Sequence, residues 1–315
     1  MAEKLLYYLA RAVIALLQAL PLAWVAQLGR FGGIIVYLFD ARHRHVAVKT
    51  LTLCFGNEKS PAEIRAIARE SFRRIGENYA SAIKTFGMPW PDLTKHVEQQ
   101  GMDKVLVRVP GDKAQSRILA LGHFGCFELY AHYARFVPSF KFATTYRALR
   151  QPSLNQLMQS MRENSGCMFF ERRTGGTALR AMLSKTGSIL GLLCDQHAGD
   201  HGLRLPFFGH DCSTSPAPAV FALRYRCPLH PSICYRVGLG RWRIETGDEI
   251  PTYENGQRRS IEAIMRDVNL AFEKAIRRDP ANWFWVHNRW KAAPPPKPGA
   301  KTEDEELKME NTSDA

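Results

Sequence analysis

The sequence lacks several motifs that are each typical of one class of enzyme or nucleic-acid-binding protein. It has no G-x-S-x-G nucleophile elbow, which removes support for a serine hydrolase with a covalent intermediate. It has no H-E-x-x-H pair and no P-loop, so neither a metalloprotease of that type nor a P-loop enzyme is indicated. Zinc-finger spacing, a basic helix leading into heptads and an aromatic RNA-binding signature are also absent, and we therefore expect no nucleic acid partner.

Cysteines at redox or metal-binding spacing are lacking too. The seven cysteines are an odd number and include no C-x-x-C pair. Several lie inside apolar, strand-like runs, such as the one that ends at Cys194. Reduced, mostly buried thiols in a cytosolic environment are the simplest interpretation.

Acidic residues are outnumbered through most of the chain. The formal net charge is +13, and residues 292–315 contribute −3 because they hold three lysines and six acidic residues. Residues 1–291 therefore carry +16, which suits an anionic membrane or a phosphorylated substrate. The stretch 292–315 is Pro-rich and then acidic, and we expect it to be a disordered tail because it cannot bury enough apolar surface to fold.

The N-terminal segment, residues 1–40, is apolar with basic flanks. Residues 12–28 form a run of 17 without charge, interrupted by Pro21, which is marginal for a spanning helix. The run has basic residues on both sides, which suits helices that lie on, or dip into, an anionic leaflet. An ordinary buried helical hairpin is the alternative. The flanking residues are Lys4 and Arg11 before the run and Arg42, Arg44 and Lys49 after it.

Residues 41–291 are predicted to form one α/β domain. Short apolar runs alternate with helical stretches, which predicts a mainly parallel central sheet covered by helices on both faces. Such sheets bind ligands at the carboxyl ends of their strands. Strands are predicted at 117–122, 140–146, 167–170, 188–194, 229–237 and 241–247, and helices at 60–86, 126–136, 152–164, 176–185, from 216–218 onward, and at about 260–278.

The stretch "ILALGHFGCFELY", residues 118–130, offers the first candidate for chemistry. His123 directly follows an apolar strand, and Gly122 and Gly125 permit a tight turn. Glu128 then falls in the first turn of the next helix, from which it can reach back to one ring nitrogen of His123. The other nitrogen would remove a proton from a hydroxyl. On spacing alone, a capping histidine and a solvated glutamate are the better interpretation.

Further motifs give the pair a context. The sequence resembles the bacterial late acyltransferases of lipid A biosynthesis, a branch of the lysophospholipid acyltransferase superfamily, over roughly residues 5 to 291. The superfamily signature H-x-x-x-x-D/E is met by His123 and Glu128, and Ala148 stands where the branch often has a proline. The other motifs occur in order: Tyr146-Arg147, Arg162 before Gly166, Asp195-Gln196 followed by Phe207-Phe208-Gly209, and Trp283, Trp285, His287, Arg289, Trp290 and Lys291.

The resemblance implies a glycerolipid acyltransferase-like fold and acyl transfer from a thioester to a hydroxyl of a lipid A precursor. His123 is then the candidate general base and Glu128 the residue that orients it. Arg162 is a candidate for stabilising the oxyanion or for holding a phosphate. Arg147 and Arg204 are candidate phosphate ligands, because guanidinium groups match phosphate oxygens. An exposed salt bridge is an equally good interpretation of Arg204.

Two residues that end a strand, Asp195 and Gln196, either shape the acceptor site or cap the following loop. The Trp-rich segment is interpreted as packing with possible lipid contact. No cofactor is expected; the co-substrate is an acyl carrier protein thioester or acyl-CoA. No metal is expected either, because His43/His45 lie among arginines and His197/His201 have no persuasive further ligands.

The resemblance places the protein at the cytoplasmic face of the bacterial inner membrane, peripheral or with one N-terminal anchor. Its expected partners are acyl carrier protein, an anionic glycolipid acceptor and membrane lipid. Two alternatives stay open: an acyltransferase for another bacterial glycolipid, phospholipid or amino lipid, and a non-catalytic lipid-binding protein. The presence of both His123 and Glu128 disfavours the second.

Overall fold

The computed structural model describes residues 2–106, 116–185, 187–200 and 202–291. The predicted tail, 292–315, and His201 lie outside these residues. The helices are α1 (Ala2–Ala19), α2 (Leu22–Phe39), α3 (Ala41–Phe55), α4 (Pro61–Phe86), α5 (Trp90–Leu93), α6 (Met102–Leu106), α7 (Tyr133–Phe136), α8 (Pro152–Glu163), α9 (Gly176–Leu183), α10 (Ala217–Arg224) and α11 (Ile261–Arg278). The strands are β1 (Val97–Gln100), β2 (Arg117–Leu121), β3 (Lys141–Tyr146), β4 (Met168–Glu171), β5 (Ser188–Leu193), β6 (Leu203–Phe207), β7 (His210–Thr214), β8 (Leu229–Gly238), β9 (Arg241–Thr246), β10 (Tyr253–Glu254) and β11 (Gln257–Arg258).

Within the described residues, seven strands form one sheet in the order β1-β9-β8-β2-β5-β3-β4. All neighbours in it are parallel except β8 and β9, which are antiparallel. Helices flank the sheet, so the predicted α/β class with a mainly parallel sheet is confirmed. The central strand β2 is buried along its whole length, as expected for a strand covered on both faces.

The register of three neighbouring strands determines which residues meet at the carboxyl edge. Parallel strands β2 and β5 end in the same row, because Leu121 pairs with Leu193. Residues two positions beyond each end, His123 and Asp195, therefore lie side by side. Strand β3 lies on the other side of β5 and places Arg147 at the same edge.

Two local predictions differ from the structure. Residues 126–136, predicted as one helix, form a 3₁₀ helix at Phe127–His132 followed by the single turn of α7. The segment with the Phe-Phe-Gly motif forms a β-hairpin, β6–β7, which the helix and strand periodicity did not reveal. Gly209 occupies its turn with a φ of +74°, where a side chain would be strained.

The N-terminal segment forms two helices that separate at Pro21. Helix α2 packs closely along α4 at a pair of glycines: a Cβ at Gly29 would overlap the carbonyl oxygen of Gly76. Arg30 lies buried at the same contact and pairs with Glu70 and Glu77 of α4, each at 3.0 Å. Helix α2 is therefore joined to the α/β domain by close backbone packing and by a buried ion pair.

The opposite side of the N-terminal helices is apolar and exposed. Helix α2 has the length and hydropathy of a helix that could cross a membrane. On α2, Trp24, Phe31 and Phe39 are 67%, 62% and 83% exposed. On α1 the exposed apolar residues are Leu5, Leu6, Tyr8, Leu9, Val13 and Leu16. A continuous apolar surface of this kind is rare on a soluble protein unless it contacts a partner or a membrane.

His132 is a buried histidine whose ring nitrogens have no hydrogen-bond partner among the described residues. Its ring packs on Phe86, with 5.4 Å between centroids. Burial, assisted by the charge of Arg135, lowers the pKa of His132 to about 4. The ring is therefore neutral in the folded protein, whereas a histidine in the unfolded chain binds a proton below about pH 6.5.

Acid should destabilise the protein through His132. The unfolded chain binds the extra proton, so stability is lost as pH falls from about 6.5 and the loss levels off near pH 4. Between pH 7 and 5, wild type should lose about 2 kcal/mol more unfolding free energy than His132→Phe. Urea unfolding at both pH values measures the difference, with His45→Phe at an exposed position as the control. Equal losses in wild type and His132→Phe would contradict the prediction.

Candidate active site

The side chain of His123 is held by Asp195. The Nδ1 atom of His123 lies 2.7 Å from Asp195 Oδ1, and the backbone N–H of His123 donates to Asp195 Oδ2 at 2.8 Å. This pairing fixes the tautomer: Nδ1 carries the proton and Nε2 has a free lone pair. The geometry is that of a histidine general base with a carboxylate that orients it.

Asp195 is itself fully buried and has a third donor, the indole N–H of Trp283, at 2.7 Å from Oδ2. Burial alone would raise the pKa of Asp195, but the His123 ring and the three donated hydrogen bonds outweigh it, so the pKa lies below its ordinary value. The carboxylate is therefore ionised. It can stabilise an imidazolium on His123 when the ring takes up a proton.

Glu128, predicted to orient His123, forms a different contact. Its carboxylate accepts two hydrogen bonds from Arg162, at 2.6 Å from Nη2 and 3.3 Å from Nε. The contact with the His123 ring is made by Asp195 instead, so the predicted arrangement of the pair is corrected. The reason is the 3₁₀ helix, on which Glu128 faces α8, where Arg162 lies.

The two glycines of the His123 turn leave room that a side chain would fill, since a Cβ at Gly122 would overlap the ring of Phe124. Gly125 has a φ of +49°, and a Cβ there would overlap the carbonyl oxygen of Cys234. Its backbone N–H donates to the carbonyl oxygen of Asn282 at 2.9 Å. The turn therefore packs against β8 and against the segment before Trp283, and these contacts fix the position of His123 at the edge of the sheet.

A cavity of about 850 Å³ opens beside His123. His123, Glu128, Arg147, Arg162 and Gln196 line it. These are five of the seven residues proposed from the sequence, and the sixth, Asp195, lies beneath His123. Arg204 is not among the lining residues; it is exposed on β6, so the structure does not bring it to the cavity.

An apolar side pocket continues from this cavity behind the Glu128–Arg162 pair. The two spaces share six lining residues: Phe127, Glu128, Thr145, Tyr146, Arg162 and Leu193. The side pocket has a volume of about 40 Å³, and the rest of its lining is mostly apolar and comes from the sheet and the 3₁₀ helix: Leu121, Tyr130, Ala131, Phe142, Thr144 and Phe169. The guanidinium of Arg162 packs over the ring of Phe169, with 4.9 Å to its centroid, at the junction.

The Trp-rich segment supports the site from below. Trp283 and Trp285 are buried, and Trp283 reaches Asp195, a contact that the packing interpretation missed. Arg289 is fully buried and donates to the backbone oxygen of Gln196 at 3.1 Å. The segment therefore holds both Asp195 and the residue after it.

The two further chemical predictions concern cysteines and metals. All seven cysteines are buried and unpaired, as predicted. The part of the chain that the structure describes contains no group of three or more His, Cys, Asp and Glu side chains able to hold a metal ion. His197, one of the histidines considered, instead donates its backbone N–H to His287 Nε2.

A histidine that is held by a buried carboxylate and lies beside an open cavity is the arrangement of an enzyme that activates a hydroxyl nucleophile. Residues 1–292 match the family described as bacterial lipid A biosynthesis acyltransferase. The chain belongs to this family and is an O-acyltransferase. It is 26% identical over 286 residues to the lipid A biosynthesis palmitoleoyltransferase of Escherichia coli (strain K12), and 26% over 286 residues to the lipid A biosynthesis acyltransferase of Shigella flexneri; each alignment covers 87% of both chains.

Proposed function

We propose that the protein transfers a fatty acyl chain from an acyl carrier protein thioester to a hydroxyl of a phosphorylated lipid A precursor. The observation that carries the proposal is the hydrogen bond between His123 Nδ1 and buried Asp195, 2.7 Å, beside the cavity. The net charge of +16 over residues 1–291 suits an acidic carrier protein and an anionic acceptor.

In this mechanism His123 Nε2 removes the proton of the acceptor hydroxyl while the oxygen attacks the thioester carbonyl carbon. The carbonyl oxygen becomes an oxyanion, and Asp195 stabilises the imidazolium that has formed. When the intermediate collapses, the C–S bond breaks and His123 returns the proton to the leaving thiolate. The products are an ester and a free thiol, and no cofactor is consumed.

The Glu128–Arg162 pair has a positioning role in this proposal. Glu128 neutralises part of the charge of Arg162 and fixes the direction of its guanidinium, which keeps the remaining N–H groups available to the cavity. Arg147 is exposed at the cavity edge and has no ion-pair partner among the described residues. Arg147 is therefore the candidate for binding a phosphate of the acceptor.

The apolar side pocket is the proposed place for the start of the acyl chain; its volume of about 40 Å³ has room for only a few methylenes before its walls must move apart. A thioester carbonyl near His123 would direct its hydrocarbon tail away from the polar cavity, past Phe127 and towards Phe142. Burial of each methylene contributes about 0.8 kcal/mol to binding, which favours an apolar site for the chain.

The function is tested by incubating the purified protein with acyl carrier protein loaded with a defined fatty acid and with a phosphorylated lipid A precursor. Mass spectrometry should show a product heavier by one acyl group, and acyl-CoA in a parallel reaction reports donor preference. Unloaded carrier protein is the control. No product from the lipid A precursor with either donor would contradict the proposal, whereas a product formed only from another lipid would replace the acceptor.

Membrane contact through the N-terminal helices is part of the same proposal, at the cytoplasmic face of the inner membrane. Helix α2 should lie in the plane of the interface instead of crossing it, because Arg30 and the glycine contact bind it lengthwise to α4. The exposed aromatic residues of α2 then enter the lipid, and helix α1, whose Glu3 accepts a hydrogen bond from Ser153 of α8, brings the bilayer close to the helix that carries Arg162.

Substituting Trp24→Ser and Phe31→Ser together should weaken binding to vesicles that contain phosphatidylglycerol by at least about 10-fold, because each buried aromatic contributes roughly 1.5–3 kcal/mol. Vesicle flotation measures the bound fraction. Leu270→Ser removes an exposed apolar residue from α11 and should bind like wild type. Alkaline carbonate should release the wild-type protein from membranes; full retention in the pellet would indicate a spanning helix instead.

A further inference from the structure

A second histidine, His287, lines the same cavity as His123. It lies in the segment that carries Trp283, which donates to Asp195, and Phe284, whose ring lies 5.9 Å from the His123 ring. The acyl transfer described above uses none of the atoms of His287. An imidazole on the wall of a reaction cavity can act as a base, as an acid or as a neutral hydrogen-bond donor.

The hydrogen bonding of His287 decides between these roles. Its Nε2 accepts a hydrogen bond from the backbone N–H of His197 at 3.0 Å. A ring nitrogen that accepts from an amide carries no proton, so the proton of the neutral ring lies on Nδ1. Burial lowers the pKa of His287, and the nearby His123 acts in the same direction, against the opposing effect of Asp195. The ring is therefore neutral and has one N–H donor.

That donor is unoccupied within the described residues. No hydrogen bond joins His287 Nδ1 to any described residue, and the atom is not among the buried polar atoms without a partner. It is therefore accessible, on a residue that lines the cavity. A neutral N–H that is held in place by a bond at the opposite ring nitrogen is a preorganised donor, which loses little freedom when it binds.

We propose that His287 Nδ1–H donates a hydrogen bond to the carbonyl oxygen of the acyl thioester as negative charge develops on it. This inference rests on the proposed acyl transfer. No proton changes place between His287 and the substrate. Arg162, the other candidate, is oriented by Glu128 and packs over Phe169. We assign its remaining N–H groups to a phosphate of the acceptor, which leaves the carbonyl oxygen to His287. A neutral imidazole acting as an electrophile has a precedent in enzyme chemistry.

Two near-isosteric substitutions separate this role from a structural one. In His287→Asn the amide nitrogen lies near the position of Nδ1, so a donor is kept while the bond to the His197 N–H is lost. In His287→Gln the amide oxygen lies near the position of Nε2, so the bond to His197 is kept while the donor at Nδ1 is lost. We expect His287→Gln to lower kcat by about 10²-fold with little change in KM, and His287→Asn to retain at least about ten times more activity than His287→Gln.

The opposite order would overturn the inference: activity near wild type in His287→Gln, with a loss only in His287→Asn, means that His287 merely holds the loop at His197. A rise in KM with unchanged kcat would overturn it too, since the contact would then be made equally in the ground state. A wild-type enzyme without product contradicts the proposed function, and it is recognised before any variant is compared.

Nitrogen NMR of the wild-type protein with labelled histidine gives a readout that does not depend on activity. The resonance that disappears in His287→Gln belongs to His287, and at pH 7 it should show a neutral ring protonated at Nδ1. A ring protonated at Nε2, or one that is charged at this pH, would overturn the proposed donor.

Discussion

Substitution of His123 by alanine should lower kcat for acyl transfer by about 10⁴-fold, the upper range for loss of a positioned general base. No other base in the described part of the site has the free lone pair of His123 Nε2 together with a carboxylate on its opposite nitrogen. The second histidine of the cavity cannot replace it, because its Nε2 already accepts from His197. Product mass measured over time, with saturating donor and acceptor, checks the change.

The control for this variant is a fold measurement, because His123 also packs against Phe127 with 4.8 Å between ring centroids. Far-ultraviolet circular dichroism and the urea midpoint should stay close to those of wild type, and His45→Ala should keep full activity. Unchanged acyl transfer in His123→Ala would contradict the role of His123 as the general base.

Asp195→Asn should be the second most damaging change, with a loss in kcat of about 10³- to 10⁴-fold at nearly unchanged stability. Oδ2 of Asp195 accepts from both Trp283 and the His123 backbone, so the asparagine oxygen takes that place. The amide NH₂ then faces His123 Nδ1, which must become the acceptor. The proton moves to Nε2, and the base has no lone pair for the hydroxyl.

Three further variants serve as comparisons for Asp195→Asn. Asp211→Asn neutralises an exposed carboxylate of β7 and should behave as wild type. The double variant His123→Ala/Asp195→Asn should be no less active than His123→Ala, because residues that act as one unit are not additive. Glu128→Gln tests the pairing that the sequence suggested. If kcat falls in Glu128→Gln by about 10³- to 10⁴-fold while Asp195→Asn stays active, Glu128 and not Asp195 is the partner of the base.

Much of the fold could be predicted because most strands of the sheet are short runs rich in apolar residues between turn signals. Strand β1 was not predicted, because its sequence, VEQQ, is mainly polar. The same pattern could not reveal β6 and β7, which are partly exposed and flank a Phe-Phe-Gly turn. It also could not show that the helix after Cys126 is a 3₁₀ helix, since helical periodicity barely separates the two forms over six residues. That difference in winding is what turns Glu128 towards Arg162.

The site could be predicted as a set of residues but not as a set of contacts. His123 and Asp195 both follow a strand by two residues, and that common offset was a signal that the two would meet if their strands were neighbours. The distance along the chain concealed this pairing, because the partners are 72 positions apart and only the sheet order brings them together. Glu128 was preferred because it is near in sequence, whereas a parallel sheet joins residues that are distant.

Because every cysteine is buried, an introduced surface cysteine can be labelled selectively. Burial raises the pKa of Cys54, Cys126 and Cys167, and it raises the pKa of Cys227 to about 11, so these native thiols are slow to react with maleimides in the folded state. A single cysteine placed at Phe39 would then be the dominant labelling site on the unmodified background. An environment-sensitive dye there would report how deep the end of α2 lies in a bilayer, with no need to remove any native cysteine first.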